Sequence, residues 1–167
     1  MKKFIKALLL PPAMMIASCT GNVQPQEEGF NYIDERFADI QMLRYNVDGF
    51  DSLTLKQKTL IYHLQEAALW GRDILFDQNG RYNLEIRRIM EKLYMEYDGD
   101  RTSEDFKAFE VYLKRLWFSS GIHHHYGSEK FVPEFSREWF VAQTACPEEI
   151  AEVIFNPEVM PKRVNQA

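Results

Sequence analysis

The residues with the clearest chemical potential form a histidine run at positions 123–125, followed directly by Tyr126. Imidazoles bind transition metals and titrate near neutral pH. In an extended segment, His123 and His125 would lie on one side and could hold a metal ion. However, no cysteine lies nearby, the nearest acid is Glu129, and three adjacent histidines rarely converge on one ion. We therefore predict a ligand-lining loop, acting through hydrogen bonds and stacking by His125 and Tyr126. Packing and capping of the preceding helix is the open alternative.

No other segment of the sequence carries a self-sufficient catalytic motif. It has no Gly-rich phosphate loop, no Gly-x-Ser-x-Gly elbow and no Cys-x-x-Cys. His63 precedes Glu66 as His-x-x-Glu, which differs from the zinc-binding His-Glu-x-x-His, so we interpret it as a partly exposed or core-edge histidine. Cys146 is interpreted as a small apolar filler. The acidic residues are scattered along predicted helices, where a solvated face is expected.

Composition excludes several classes of protein. The 167 residues are 46% hydrophobic and 14% aromatic, which is too apolar for a disordered chain. The formal charge of -5 and a pI near 5.4 argue against a nucleic-acid partner, which requires a basic face. Two cysteines cannot build a disulfide-dense scaffold or a four-cysteine zinc site. The length fits one domain with a real core.

The N-terminus is typical of an export signal. Three lysines within residues 1–6 precede a short apolar stretch that ends in Ala17, Ser18 and Cys19. That stretch is too short to span a bilayer, and small residues before a cysteine resemble a bacterial lipobox. We predict that residues 1–18 are a signal peptide, that Cys19 carries the lipid, and that residues 19–29 are a flexible tether. The expected location is the bacterial cell envelope, lipid-anchored on the periplasmic or outer-membrane side. A cleaved signal with an incidental cysteine is the alternative.

Apolar periodicity predicts a mainly α fold. A short helix is predicted within residues 30–47, where Phe37, Ile40 and Leu43 recur at helical spacing. A longer helix begins at the Thr54-x-x-Gln57 capping box and ends at the turn residues 77–80. We expect its apolar face to pack against another helix, and that face comprises Leu60, Ile61, Leu64, Ala67, Ala68, Gly71 and Leu75.

Further helices are predicted on both sides of a long loop. One runs from about Asn83 to Tyr97, and one begins at the N-cap Ser103 with an aromatic face. Residues 119–135 then form an irregular loop, rich in Gly and Ser, of a length that is commonly functional. Short helices follow after Ser136 and at Pro147.

The loop also resembles a known family. Residues 117–133, Trp-Phe-Ser-Ser-Gly-Ile-His-His-His-Tyr-Gly-Ser-Glu-Lys-Phe-Val-Pro, are similar to the N-terminal region of dipeptidyl peptidase III. These are zinc exopeptidases of metallopeptidase family forty-nine, and the Bacteroides-type members look most similar. The resemblance extends in order over residues 30–160, through Leu43–Tyr45, Gly49–Leu53, Gly71–Asn79, Gly99–Thr102 and Phe135–Arg137.

This resemblance implies a two-lobed helical enzyme that removes dipeptides from the N-terminus of short peptides. Its zinc is held by a His-Glu-x-x-Gly-His motif and a downstream glutamate, neither of which occurs in this sequence. No zinc ligand is therefore carried over, and we expect an N-terminal fragment that binds no zinc and is inactive alone. The resemblance places His125, Tyr126 and Gly127 at the border of the peptide cleft, with Tyr126 beside the N-terminal part of the bound peptide.

Two other interpretations remain open. The first is a stand-alone helical lipoprotein that binds peptides or a partner protein without catalysis. The second is an unrelated helical envelope module, which the ordered motifs disfavour. Under the fragment interpretation, the chain should expose apolar helix faces that further polypeptide would cover.

Overall fold

The computed structural model describes residues 29–159, and the fold is mainly α, as predicted. Backbone contacts divide the chain into two units, Met1–Phe30 and Asn31–Ala167, and every element below belongs to the second. The predicted signal peptide, Cys19 and most of the tether lie outside the described residues. In order, the elements are β1 Ile33–Phe37, β2 Ile40–Leu43, a 3-10 helix Phe50–Ser52, α1 Leu55–Trp70, α2 Arg72–Asn79, α3 Asn83–Glu96, α4 Glu104–Ser119, α5 Arg137–Gln143 and α6 Glu148–Phe155.

The helix predicted within residues 30–47 is wrong, because this segment is an antiparallel β-hairpin. Phe37 pairs with Ile40 across a two-residue turn, and both side chains are buried. Ala38 in the turn has a φ of 49°, in the left-handed region that closes such turns. The three-residue spacing of Phe37 and Ile40 therefore reflects their pairing across the hairpin, and not neighbouring positions on a helix. The hairpin is fixed to α4, since Lys114 binds Glu35 at 2.6 Å.

The capping box is confirmed, but its helix differs from the prediction. The Thr54 hydroxyl accepts from the Gln57 amide at 3.4 Å, while the Gln57 side chain accepts from the Thr54 amide at 2.9 Å. The predicted single helix is divided at Gly71 into α1 and α2. The predicted apolar face of α1 is not packed within the described structure: α1 has no buried residue, and Leu64 is 60% exposed.

The core lies between α3 and α4, which form as predicted and are covered by the two short C-terminal helices. Ser103 caps α4 by accepting from the Phe106 amide at 3.3 Å. Ser136 caps α5 by accepting from the Trp139 amide at 3.2 Å. The fully or almost fully buried side chains of these helices include Ile86, Met90, Leu93, Phe106, Phe109, Leu113, Leu116, Phe140, Ile150 and Ile154. At about 25 cal/mol per Å² of buried apolar area, this aromatic-rich cluster is the main stabilising element.

No helix in residues 29–159 combines the length and the apolar character required to cross a bilayer.

Candidate functional site: the histidine loop

The predicted irregular loop is confirmed, and its two ends are tied into the core. Ile122 is fully buried, and Phe131 and Phe135 are almost so. The Phe131 amide donates to the Ile122 carbonyl at 2.8 Å, and the His124 amide donates to the Glu129 carbonyl at 2.7 Å. These paired bonds bring the ends of the histidine segment together. The residues between them therefore project as a fixed tip rather than a free strand.

The tip is a tight turn that presents the three predicted site residues. The Gly127 amide donates to the His124 carbonyl at 3.1 Å, and the Tyr126 amide donates to Nδ1 of His124 at 3.2 Å. Because Nδ1 of His124 accepts, the proton of the neutral ring is assigned to Nε2. His125, Tyr126 and Gly127 are all exposed, and Tyr126 is 91% exposed.

A row of rings links this tip to the hairpin. Tyr126 lies 4.2 Å from His125, His125 lies 4.9 Å from Phe118, and Phe118 lies 6.5 Å from Phe37, all between ring centroids. The Phe118–His125 and Phe37–Phe118 contacts are edge-to-face, a favourable arrangement for aromatic pairs. The exposed ring of Tyr126 therefore stands on a supported aromatic base.

A polar cavity of about 130 Å³ lies beside the tip. Its lining comprises Asn79, Asn83, Ser119, Gly121, His123, His124, His125 and Gly127. Asn83 is 1% exposed and accepts from the Ile122 amide at 3.3 Å through Oδ1. Nδ2 of Asn83 and Oγ of Ser119 are buried and have no hydrogen-bond partner within residues 29–159. Such groups favour a polar occupant of the cavity, since an unsatisfied buried donor costs about 1–3 kcal/mol.

The sequence analysis missed the helix residues that line this cavity. Asn83 is the first residue of α3, and Asn79 is the last residue of α2. The backbones of Gly80 and Gly121 both pass close to the Asn83 amide, where a Cβ atom would overlap it. The two glycines are 41 positions apart in the sequence, so no local pattern could have indicated that they share one neighbour.

The two histidines that an extended segment would have placed together both line the cavity, but they differ in exposure. His123 is 8% exposed and pairs with Lys130 in an isolated β-bridge, whereas His125 lies in the exposed turn. Among residues 29–159, no three His, Cys, Asp or Glu side chains converge in a way that could hold a metal ion.

Charged groups brace the loop from both sides. Arg115 donates to Asp39 at 2.5 Å, and this bond lowers the pKa of Asp39 below its usual value. Lys130 donates to the carbonyls of Asn156 at 2.6 Å and Val159 at 3.2 Å, which ties the loop to the end of α6. Burial lowers the pKa of Lys130. Their geometry makes these residues supports of the loop.

Cys146 does not have the environment of an activated thiol. It packs against the edge of the core, and Sγ lies 3.5 Å from the Pro147 carbonyl. Burial raises the pKa of its thiol to about 11, so the thiolate is scarce near neutral pH. This environment agrees with the interpretation of Cys146 as an apolar filler.

Comparison with known proteins gives one relative of known activity. The sequence is 26% identical to human dipeptidyl peptidase 3 over an alignment of 101 residues, which covers 54% of this chain. The match spans only 14% of the length of that protein. No protein-family model matches the chain. The similarity supports a relationship to dipeptidyl peptidase 3, and it is too partial to establish membership of the family.

Proposed function

We propose that this chain is the N-terminal part of a dipeptidyl peptidase III-type enzyme, and that the tip of its histidine loop borders the cleft for short peptides. His125, Tyr126 and Gly127 contact the peptide in this proposal, with the Tyr126 ring beside its N-terminal residues. The similarity to human dipeptidyl peptidase 3 supports the class of activity.

The observation that carries the proposal is the exposure of Tyr126 above a fixed base. A large ring that is 91% exposed gains by covering its face, and a tilted ring contact with His125, 4.2 Å between centroids, supports it. The polar cavity beside it, where Nδ2 of Asn83 and Oγ of Ser119 have no hydrogen-bond partner among residues 29–159, suits the amide groups of a peptide backbone. The loop thus offers an apolar ring face next to polar groups, the combination that peptides require.

Peptide binding by the ¹⁵N-labelled chain tests the role of the loop. Tetra-alanine should shift the Gly127 amide resonance, and Tyr126→Ala should weaken this binding about fivefold because a stacked ring is lost. Tyr45→Ala is the matched control, since Tyr45 is also an exposed tyrosine (81%) but lies outside the loop. Equal affinities of the Tyr126 and Tyr45 variants would assign the loop a purely structural role.

The zinc and the catalytic base belong, in this proposal, to polypeptide beyond the sequence described here. The exposed α1 supports this, because a helix with apolar residues on both sides is normally covered. Reading the DNA downstream in three frames should reveal an encoded His-Glu-x-x-Gly-His motif. An intergenic region there would instead favour a stand-alone peptide-binding lipoprotein. Zinc-dependent dipeptide release by the purified chain from a dipeptidyl-naphthylamide would overturn the fragment proposal.

We also propose that a lipid on Cys19 anchors the protein in the bacterial envelope. The sequence order of lysines, apolar residues, small residues and cysteine supports this. Expression in bacteria fed an alkyne fatty acid should label the wild-type chain and leave Cys19→Ser unlabelled. Cys146→Ser should label like wild type, and label that persists in Cys19→Ser would disprove the assignment.

A further inference from the structure

A second depression is lined by the Phe118 ring, which also contacts His125 of the loop tip. It is a groove of about 330 Å³ between the hairpin and α4. The apolar part of its lining is Phe37, Met42, Trp117 and Phe118, and Glu35 and Lys114 form the rest. Met42, Trp117 and Phe118 are each 39–44% exposed, so the groove presents a substantial apolar surface.

The charged and polar groups at the groove are already engaged. Lys114 binds Glu35 at 2.6 Å and Glu110 at 3.1 Å. The indole nitrogen of Trp117 donates to Glu91 at 2.8 Å. What remains for a ligand is apolar surface, which favours an uncharged, apolar side chain over a charged one.

Phe118 joins this groove to the loop tip. Its ring lines the groove and makes an edge-to-face contact with His125 of the candidate site. The ring separations place Phe118 within about 9 Å of Tyr126. In an extended peptide, side chains on the same face repeat every two residues, about 6.8 Å apart. Phe118, which lines the groove, therefore lies within reach of the third residue of an extended peptide whose first residue contacts Tyr126.

We propose that this groove is a specificity pocket for a large apolar side chain of the bound peptide, two residues along from the residue that contacts Tyr126. This rests on the proposed function, which places the N-terminal residues of the peptide beside Tyr126. If the first of them contacts Tyr126, the groove receives the third residue. The groove then selects the peptide through Phe37, Met42, Trp117 and Phe118. The loop tip holds the N-terminal part of the peptide.

A series of tetra-alanine peptides with Phe at position 1, 2, 3 or 4 tests the proposal on the ¹⁵N-labelled chain. The peptide with Phe at position 3 should bind about tenfold tighter than tetra-alanine, as expected for burial of most of an aromatic side chain. It should shift the indole resonance of Trp117 and leave those of Trp70 and Trp139 in place. Tetra-alanine should shift the Gly127 amide without moving Trp117.

Met42→Lys should remove the preference for Phe at position 3, so that this peptide binds the variant no more tightly than tetra-alanine does. Met95→Lys is the matched control, because Met95 is 72% exposed on α3 and does not line the groove. If Gly127 shifts but every Phe peptide binds like tetra-alanine, the pocket is disproved while the loop proposal stands. If Phe raises the affinity equally at all four positions, the assignment of the third residue to the groove is disproved. If no peptide shifts Gly127, the proposed function fails and the pocket falls with it.

Discussion

The backbone of Gly121 passes directly against the side-chain amide of Asn83, and this contact joins the start of the histidine loop to the start of α3. A Cβ atom at Gly121 would overlap Nδ2 of Asn83. Oδ1 of the same amide accepts from the neighbouring Ile122 amide at 3.3 Å. The position of the loop, and hence of Tyr126, depends on this close approach.

Gly121→Ala should therefore destabilise the protein by about 1–3 kcal/mol, the usual cost of forcing extra atoms into a packed site. Gly127→Ala is the matched control, because a Cβ there meets nothing nearer than 3.9 Å, and its effect should stay within about 0.5 kcal/mol. Urea unfolding followed by circular dichroism measures both. Equal stability of the two variants would contradict the close contact.

Ala38→Gly distinguishes the hairpin from the helix that the sequence predicts. Ala38 has a φ of 49°, where glycine avoids the steric cost borne by other residues. The substitution should raise the free energy of unfolding by about 0.5–1 kcal/mol. In the middle of a helix, the same substitution would lower the free energy of unfolding by about 1 kcal/mol. The sign of the change in urea midpoint decides between the two structures.

Two leucines at helical positions should respond very differently to truncation. Leu113→Ala removes a fully buried side chain from α4 and should cost about 2–5 kcal/mol. Leu64→Ala on α1 should cost less than about 0.5 kcal/mol, because Leu64 is 60% exposed. Thermal unfolding of each variant provides the comparison. A large loss for Leu64→Ala would mean that α1 is covered in solution.

The Asp39–Arg115 pair should make hairpin docking sensitive to acid. The pKa of Asp39 is lowered in the folded state by the Arg115 hydrogen bond, so its contribution is present above the unfolded pKa, about 3.9. The contribution is lost as the pH falls through the lower folded value. The Asp39 carboxylate is 59% exposed, so the contribution should be small. Asp39→Asn should lower the Tm slightly at pH 7, and its difference from wild type should shrink as the pH falls below about 3.9. Asp51→Asn should leave the Tm unchanged at pH 7.

The sequence by itself determined the elements whose signals are local. Capping residues such as Thr54, Ser103 and Ser136 act within one helical turn, so their helices begin where the sequence places them. The periodic faces of α3 and α4 mark the core, because a 3.6-residue repeat aligns their apolar side chains on one side. The irregular loop was likewise recognisable from its glycines and serines.

Only the tertiary structure decided which contacts joined distant segments. Phe37 and Ile40 fit a helix by spacing, and the positive φ of Ala38 together with ion pairs to α4 makes them strand partners instead. Leu64 fits a buried face, yet no described element covers it. The candidate site required Asn83 and Phe118 to meet the histidine loop. Such meetings depend on how the helices pack, and a local sequence pattern carries no information about that packing.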